Sequence, residues 1–158
     1  MKSFEIKTTV EVVTDDELSA EDRRLVEEAR EATRRAYAPY SHFAVGAAIL
    51  LDNGEIVVGS NQENAAYPSG LCAERTAAFY AHARYPEARF VAIAIAARDT
   101  SGEFMPTPIS PCGACRQSLL EYEKLAGGDV RVILSGATEN YVLKSVGSLM
   151  PFAFNDFD

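Results

Sequence analysis

Hydrophobic and polar positions change period several times along the chain, and each change marks an element. Residues 1–13 alternate loosely, with Phe4, Ile6, Val10 and Val12 at even positions, which suggests an edge strand. Between Thr14 and Tyr40, the residues Leu25, Val26, Ala29, Ala32, Thr33 and Ala36 fall on one helical face. Ser19 is the expected N-cap of that helix, with Asp22 where a capping box usually carries Glu, and Pro39 is expected to end it. Phe43 to Leu51 reads as a strand, Asp52-Asn53-Gly54 as a hairpin turn, and Glu55 to Ser60 as the returning strand. A polar loop, NQENAAYPSG, leads to a helix over Cys72 to Arg84. Phe90 to Ala97 is a nearly continuous apolar run, as in a strand buried on both faces. A Pro- and Gly-bearing loop (100–111) precedes a helix from Cys112 to Leu125 and a further buried strand from Val130 to Leu134. A last short strand or helical turn falls within Tyr141 to Leu149, and the tail is aromatic at Phe152, Phe154 and Phe157.

This alternation predicts an α/β fold: a mixed central sheet of about five strands with helices on both faces. The chain's 158 residues suit a single domain over 1–158, and neither repeat nor linker divides them. No run of 18 apolar residues suggests a membrane span. The N-terminus, MKSFEIKTTVEVV, has no apolar signal core, which points to the cytoplasm. A net charge of −8 argues against a polynucleotide surface, which needs clustered cations to neutralise phosphates. The densest basic pair, Arg34-Arg35, shares its helix with Asp22, Glu27, Glu28 and Glu31 and reads as a solvated mixed-charge face.

The chemistry lies in the three cysteines, Cys72, Cys112 and Cys115. An odd number without a secretory signal does not make a disulfide framework. Cys112-Gly113-Ala114-Cys115 alone fits a redox pair, half a zinc site, or neither. Cys72 favours metal. It too opens a helix, where free backbone N–H groups and the helix dipole favour a thiolate. Three sulfurs form an incomplete tetrahedron suited to zinc, and neither His42 nor His82 lies beside a cysteine motif to complete it. Three protein ligands with one open position is the catalytic pattern. The open position holds water, which zinc makes acidic near neutral pH.

Glu74 follows two residues after a ligand, on the first turn of the same helix. A carboxylate there can reach the water without ligating the ion and shuttle its proton to a substrate nitrogen. Three thiolates carry more negative charge than zinc offsets. Arg75, Arg116 and Gln117 directly follow the motifs, and at least one of them is expected to donate to sulfur and draw charge off the ion.

CAE followed by PCGAC resembles the zinc signature of the cytidine deaminase superfamily, with cysteine where the polynucleotide-acting members have histidine. YSHFAVGAAI, NQENAAYPSGLCAERTA and SPCGACRQ resemble, in order, the blocks of its small free-nucleoside branch; the resemblance runs from Tyr37 to Phe154. It implies a three-layer α/β/α fold and one zinc per chain on Cys72, Cys112 and Cys115. It implies that Glu74 carries the proton while water attacks C4 of cytidine or deoxycytidine, releasing ammonia and a uracil nucleoside for pyrimidine salvage. By the same resemblance Phe43 packs on the nucleoside, Asn61 and Glu63 hold ribose hydroxyls, Ala73 meets the pyrimidine edge with Glu74, and Arg75 bonds the thiolates. It also implies a homotetramer, with Tyr67 and Phe154 at shared sites.

Residues 1–18 are an N-terminal extension to that pattern. DTSGEFMPTP is longer than the corresponding family segment and lies near the pocket in chain order. Both features bear on specificity more than on chemistry. The principal alternative is a sister deaminase acting on another amino-heterocycle, such as blasticidin S, which has less use for Asn61 and Glu63.

Overall fold

The computed structural model describes residues 1–154. Its strands are β1 (Glu11–Val13), β2 (Ala44–Leu51), β3 (Ile56–Ser60), β4 (Phe90–Arg98), β5 (Arg131–Ser135) and β6 (Asn140–Leu143). They form one sheet in the order β1-β6-β5-β4-β2-β3. β4 and β5 run parallel and the other neighbours antiparallel, so the sheet is mixed. Helix α1 (Ala20–Ala32) covers one face, and α2 (Ala73–Arg84) with α3 (Gly113–Ala126) covers the other. The three-layer α/β/α architecture is the one expected. The sheet has six strands because residues 11–13 pair with β6.

The central strand β4 separates the two cores. Ile93 and Ile95 point toward Ala77, Ala81 and Leu119 of α2 and α3. The alternate residues Ala92, Ala94 and Ala96 point toward Leu25, Val26 and Ala29 of α1. Small side chains let the helices approach closely. A Cβ on Gly46 of β2 would lie 2.1 Å from the Ala29 carbonyl oxygen, and one on Gly59 of β3 would lie 2.5 Å from the Ala77 nitrogen. The second contact fixes α2, the helix that Cys72 opens. The parallel β4–β5 pair requires a crossover, and α3 supplies it.

Several expectations are refined. Ser19 caps α1 by accepting from the Asp22 amide at 3.0 Å. The Asp22 carboxylate, however, accepts from Arg131 of β5 at 2.6 Å and so ties α1 to the sheet. Pro39 does not end the helix. α1 stops at Ala32 and tightens through a 3₁₀ turn at Thr33–Arg35, where the Thr33 hydroxyl bonds the Arg30 carbonyl. This frees Tyr37 to pair with Asn61. The region after residue 139 holds both expected forms, β6 and a 3₁₀ turn at Gly147–Leu149. Phe157 lies outside the described residues.

Residues 11–18 of the N-terminal extension are built into the fold, whereas 1–10 are exposed and form no strand. Leu18 is buried, and Asp15 accepts from both Arg30 and the buried Asn140. The long loop packs on the α1 side of the sheet: Phe104 lies under the Arg98 guanidinium, 3.8 Å from its centre. No residue of 99–108 lines the cavity described below, despite its position in chain order.

Candidate active site

Cys72 is the N-cap of α2 and Cys112 the N-cap of α3, yet neither sulfur caps its own helix. Both are free to face each other, 3.8 Å apart. Cys115, one turn into α3 and fully buried, completes a group whose sulfurs lie within 4.8 Å of one another. Sulfurs at about 2.3 Å from a tetrahedral zinc stand roughly 3.8 Å apart, so spacing and donor chemistry both fit that ion.

Arg75 lies three residues beyond Cys72 and directs Nη2 at its sulfur from 3.8 Å. The Cys72 thiol is lowered to about 5, first by donation from the Cys115 thiol and then by Arg75 and Cys112, against the effect of burial. Cys115 is raised, because its thiol is the donor in that bond and because it is buried. Both thiols would have to be deprotonated to hold a cation, because the thiolate is the metal ligand. Glu74, 3% exposed, has its carboxyl raised above the usual carboxylate range. Desolvation is the main cause; the Cys72 charge adds to it, while Glu74's own amide, Cys115 and Arg75 oppose it. A carboxyl poised toward its protonated form, beside a thiolate cluster, suits proton transfer. Ala73, buried at the first position of α2, sits between Cys72 and Glu74.

A cavity of about 360 Å³ opens beside Cys72. Its wall comes from Tyr40, the 61–64 loop, Tyr67 and Gly70-Leu71. The loop is laced on both sides. Tyr37 N–H donates to Asn61 O and Glu63 N–H to Tyr37 O, while Gln62 and Leu71 exchange backbone bonds at 2.9 and 3.0 Å. That lacing holds Asn61 and Glu63 against the approach to Cys72.

Both of these side chains also grip the segment carrying Phe43. Asn61 Oδ1 accepts from Val45 N–H and its Nδ2 donates to Phe43 O, each at 2.8 Å. The Glu63 carboxylate accepts from Tyr40 N–H at 2.8 Å, from Ser41 N–H at 3.3 Å and from the Ser41 hydroxyl. These donors, the hydroxyl foremost, hold its carboxyl below the usual range. Between them His42 adopts φ 55°, a left-handed backbone rare outside glycine. Tyr67 packs edge-on against Tyr40 with ring centres 5.9 Å apart.

Arg116 and Gln117 turn away from the sulfurs. Arg116 donates to Pro111 O, Leu149 O and Ser110 Oγ, bracing the entry to α3. Gln117 forms a two-bond clamp on the Phe154 backbone, at 2.7 and 3.1 Å. Of the three residues expected beside the thiolates, Arg75 is the one with a bond to sulfur. Tyr40, Ser41, Gln62, Asn64 and Gly70 were not among the predicted site residues. Tyr40 and Ser41 lie within the YSHF block, of which only Phe43 was singled out, and Gln62 is the middle residue of the Asn-x-Glu pair.

Residues 19–126 match the model of the cytidine and deoxycytidylate deaminase zinc-binding region. The chain belongs to the cytidine and deoxycytidylate deaminase family. It is similar to the cytidine deaminase of Sporosarcina psychrophila, 42% identical over 85% of this chain and 92% of that one. It is similar also to that of Halalkalibacterium halodurans, 43% identical over 85% and 94%. Among solved structures, the cytidine deaminase of Burkholderia pseudomallei superposes with a TM-score of 0.69 at 40% identity, covering 83% of this chain and 97% of its own. That of Mycobacterium tuberculosis gives 0.65 at 34% identity, over 87% and 100%. The chain is thus an enzyme of a family that hydrolyses C–N bonds. A zinc-binding region covers its three-cysteine cluster.

Proposed function

We propose that this enzyme deaminates free cytidine and deoxycytidine, with zinc held by Cys72, Cys112 and Cys115. One observation carries the proposal: a single cavity has Cys72 at one part of its wall and Asn61 and Glu63 at another. A reaction centre and groups suited to a sugar therefore face the same space. Among the described residues, those lining this cavity include no lysine or arginine, and Glu63 adds a negative charge. A 5′-phosphate has nothing there to neutralise it, so the uncharged nucleoside is favoured over deoxycytidylate within the family's range.

When bound, zinc supplies the Lewis acidity that brings the deprotonation of water near neutral pH. Glu74 accepts a proton from the attacking water and delivers it to N3 as oxygen joins C4. The C4–N4 bond then breaks, and the second water proton leaves with the amine as ammonia. N3 keeps its hydrogen and C4 becomes the carbonyl of uridine. Burial of Glu74 serves both transfers, because a raised carboxyl gives up and regains its proton more evenly. Arg75 draws negative charge from Cys72. Ala73 meets the pyrimidine edge, and Phe43 packs on the ring.

The hydrogen-bond inventory defines the sugar contact. A carboxylate offers about four acceptor directions, and Glu63 has three occupied. Asn61 has one N–H left after bonding Phe43 O. One hydroxyl that donates to Glu63 and accepts from Asn61 satisfies both, so loss of the second ribose hydroxyl is tolerated. Tyr67 and Phe154 border the site in a homotetramer built from the one domain, within the cytoplasm. Both residues are exposed in the single chain. Ammonia release measured over cytidine, deoxycytidine, cytosine, deoxycytidylate and blasticidin S tests the proposal. Turnover of the two nucleosides is expected, and preference for blasticidin S or deoxycytidylate contradicts it.

A further inference from the structure

We infer that Ser41 is a positioning residue for the sugar of the substrate, acting through Glu63; this rests on the proposed nucleoside site. Its hydroxyl occupies a junction. Ser41 Oγ accepts from Phe43 N–H at 3.2 Å and donates to Glu63 Oε1. One small side chain therefore joins the backbone of the aromatic platform to the carboxylate of the sugar clamp.

The physical need for the junction is clear from Glu63 itself. It is a long side chain at a solvent-open site, and ordering such a chain costs rotamer entropy. A carboxylate that must meet a hydroxyl on arrival gains from being fixed beforehand. The two backbone donors, Tyr40 and Ser41 N–H, both reach Oε2. The Ser41 hydroxyl is the donor at Oε1, so it sets the rotation of the carboxylate about its last bond. It also consumes one acceptor direction of Oε1 and leaves the other for substrate. The same hydroxyl holds the carboxyl in its charged form, as its largest single influence. The left-handed backbone of the intervening His42 brings Ser41 Oγ within reach of the Phe43 amide. The Asn61 side chain also holds that segment, donating to Phe43 O and accepting from Val45 N–H. Those two bonds keep the Phe43 backbone in place when the Ser41 hydroxyl is lost, so the distinct task of that hydroxyl is to orient Glu63.

Steady-state kinetics of Ser41→Ala, Ser41→Thr, Glu63→Gln and the Ser41→Ala/Glu63→Gln double variant, on cytidine and on sugar-free 1-methylcytosine, test this. Ser41→Ala should raise KM for cytidine about tenfold, as expected for one charge-assisted hydrogen bond, with kcat within about twofold of the parent. On 1-methylcytosine its kcat/KM should match the parent. Ser41→Thr should restore the cytidine KM, because it returns the hydroxyl. The double variant should lose little beyond Glu63→Gln alone, since the two residues act through one contact. Equal losses on cytidine and 1-methylcytosine, additive losses in the double variant, or no recovery with threonine would each overturn the role of Ser41. If Ser41→Ala is harmless while Glu63→Gln is not, the Ser41 inference falls and the nucleoside site stands. If Glu63→Gln is harmless on cytidine, the sugar site itself falls and takes this role with it.

Discussion

Arg75 directs Nη2 at the sulfur of Cys72 from 3.8 Å, one helical turn along α2. A guanidinium there offsets part of the charge that three thiolates bring to a divalent ion. Arg75→Gln should reduce zinc affinity by about 10–100-fold, the usual range for a partner that supports a ligand. It should also lower kcat where zinc is saturating. Competition with a chelator checks the first effect, and turnover at excess zinc checks the second. An unchanged chelator midpoint would show that the contact is only packing.

Two helices rest directly on glycines of the sheet, so substitution there strikes backbone. Gly59→Ala forces a Cβ to within 2.5 Å of the Ala77 nitrogen. The strain should cost about 1–3 kcal/mol, or more where the backbone cannot shift. Because α2 carries Cys72 and Glu74 at its start, zinc affinity should fall along with the melting temperature. Gly54→Ala is a control of another kind. It strains a turn at φ 84° but meets nothing within 4 Å, so it should destabilise without touching zinc binding.

Asp15 ties the N-terminal extension to Arg30 and Asn140, and Arg30 is the main reason its carboxyl lies below the usual value. A folded-state pKa below the unfolded one contributes stability that is present above about pH 4 and lost as pH falls through the folded value. Asp15→Asn should therefore melt lower than the parent at pH 7, and the gap should close on acidification below about pH 4. Thermal melts across pH 3–8 check this. A gap that stays constant or widens in acid would contradict the assignment.

Most of the fold was legible because periodicity changed where elements changed. The apolar run at 90–97 gave β4, and the DNG turn gave the β2–β3 hairpin with a positive-φ Gly54. The three-cysteine cluster was legible because three rare residues were concentrated in two helix starts. What local pattern missed is mostly set at long range. The edge strand expected within residues 1–13 shrinks to 11–13, because those are the residues that reach β6, some 130 positions away. α1 ends before Pro39 because Tyr37 must pair with Asn61. Asp22 abandons the capping box for Arg131. Arg116 and Gln117 stand next to Cys115 in sequence, but helical rotation sends them to the 110–111 loop and the tail. Asn61 and Glu63 were legible as polar partners, whereas their grip on the Phe43 segment depends on a loop laced in three dimensions.

The most direct measurement is cytidine turnover by Glu74→Ala, followed by the loss of cytidine absorbance, with zinc quantified in the same sample. A proton carrier at Glu74 predicts about one zinc per chain retained and a rate reduced by at least about 10²–10⁴-fold. Near-normal turnover with zinc still bound would contradict it.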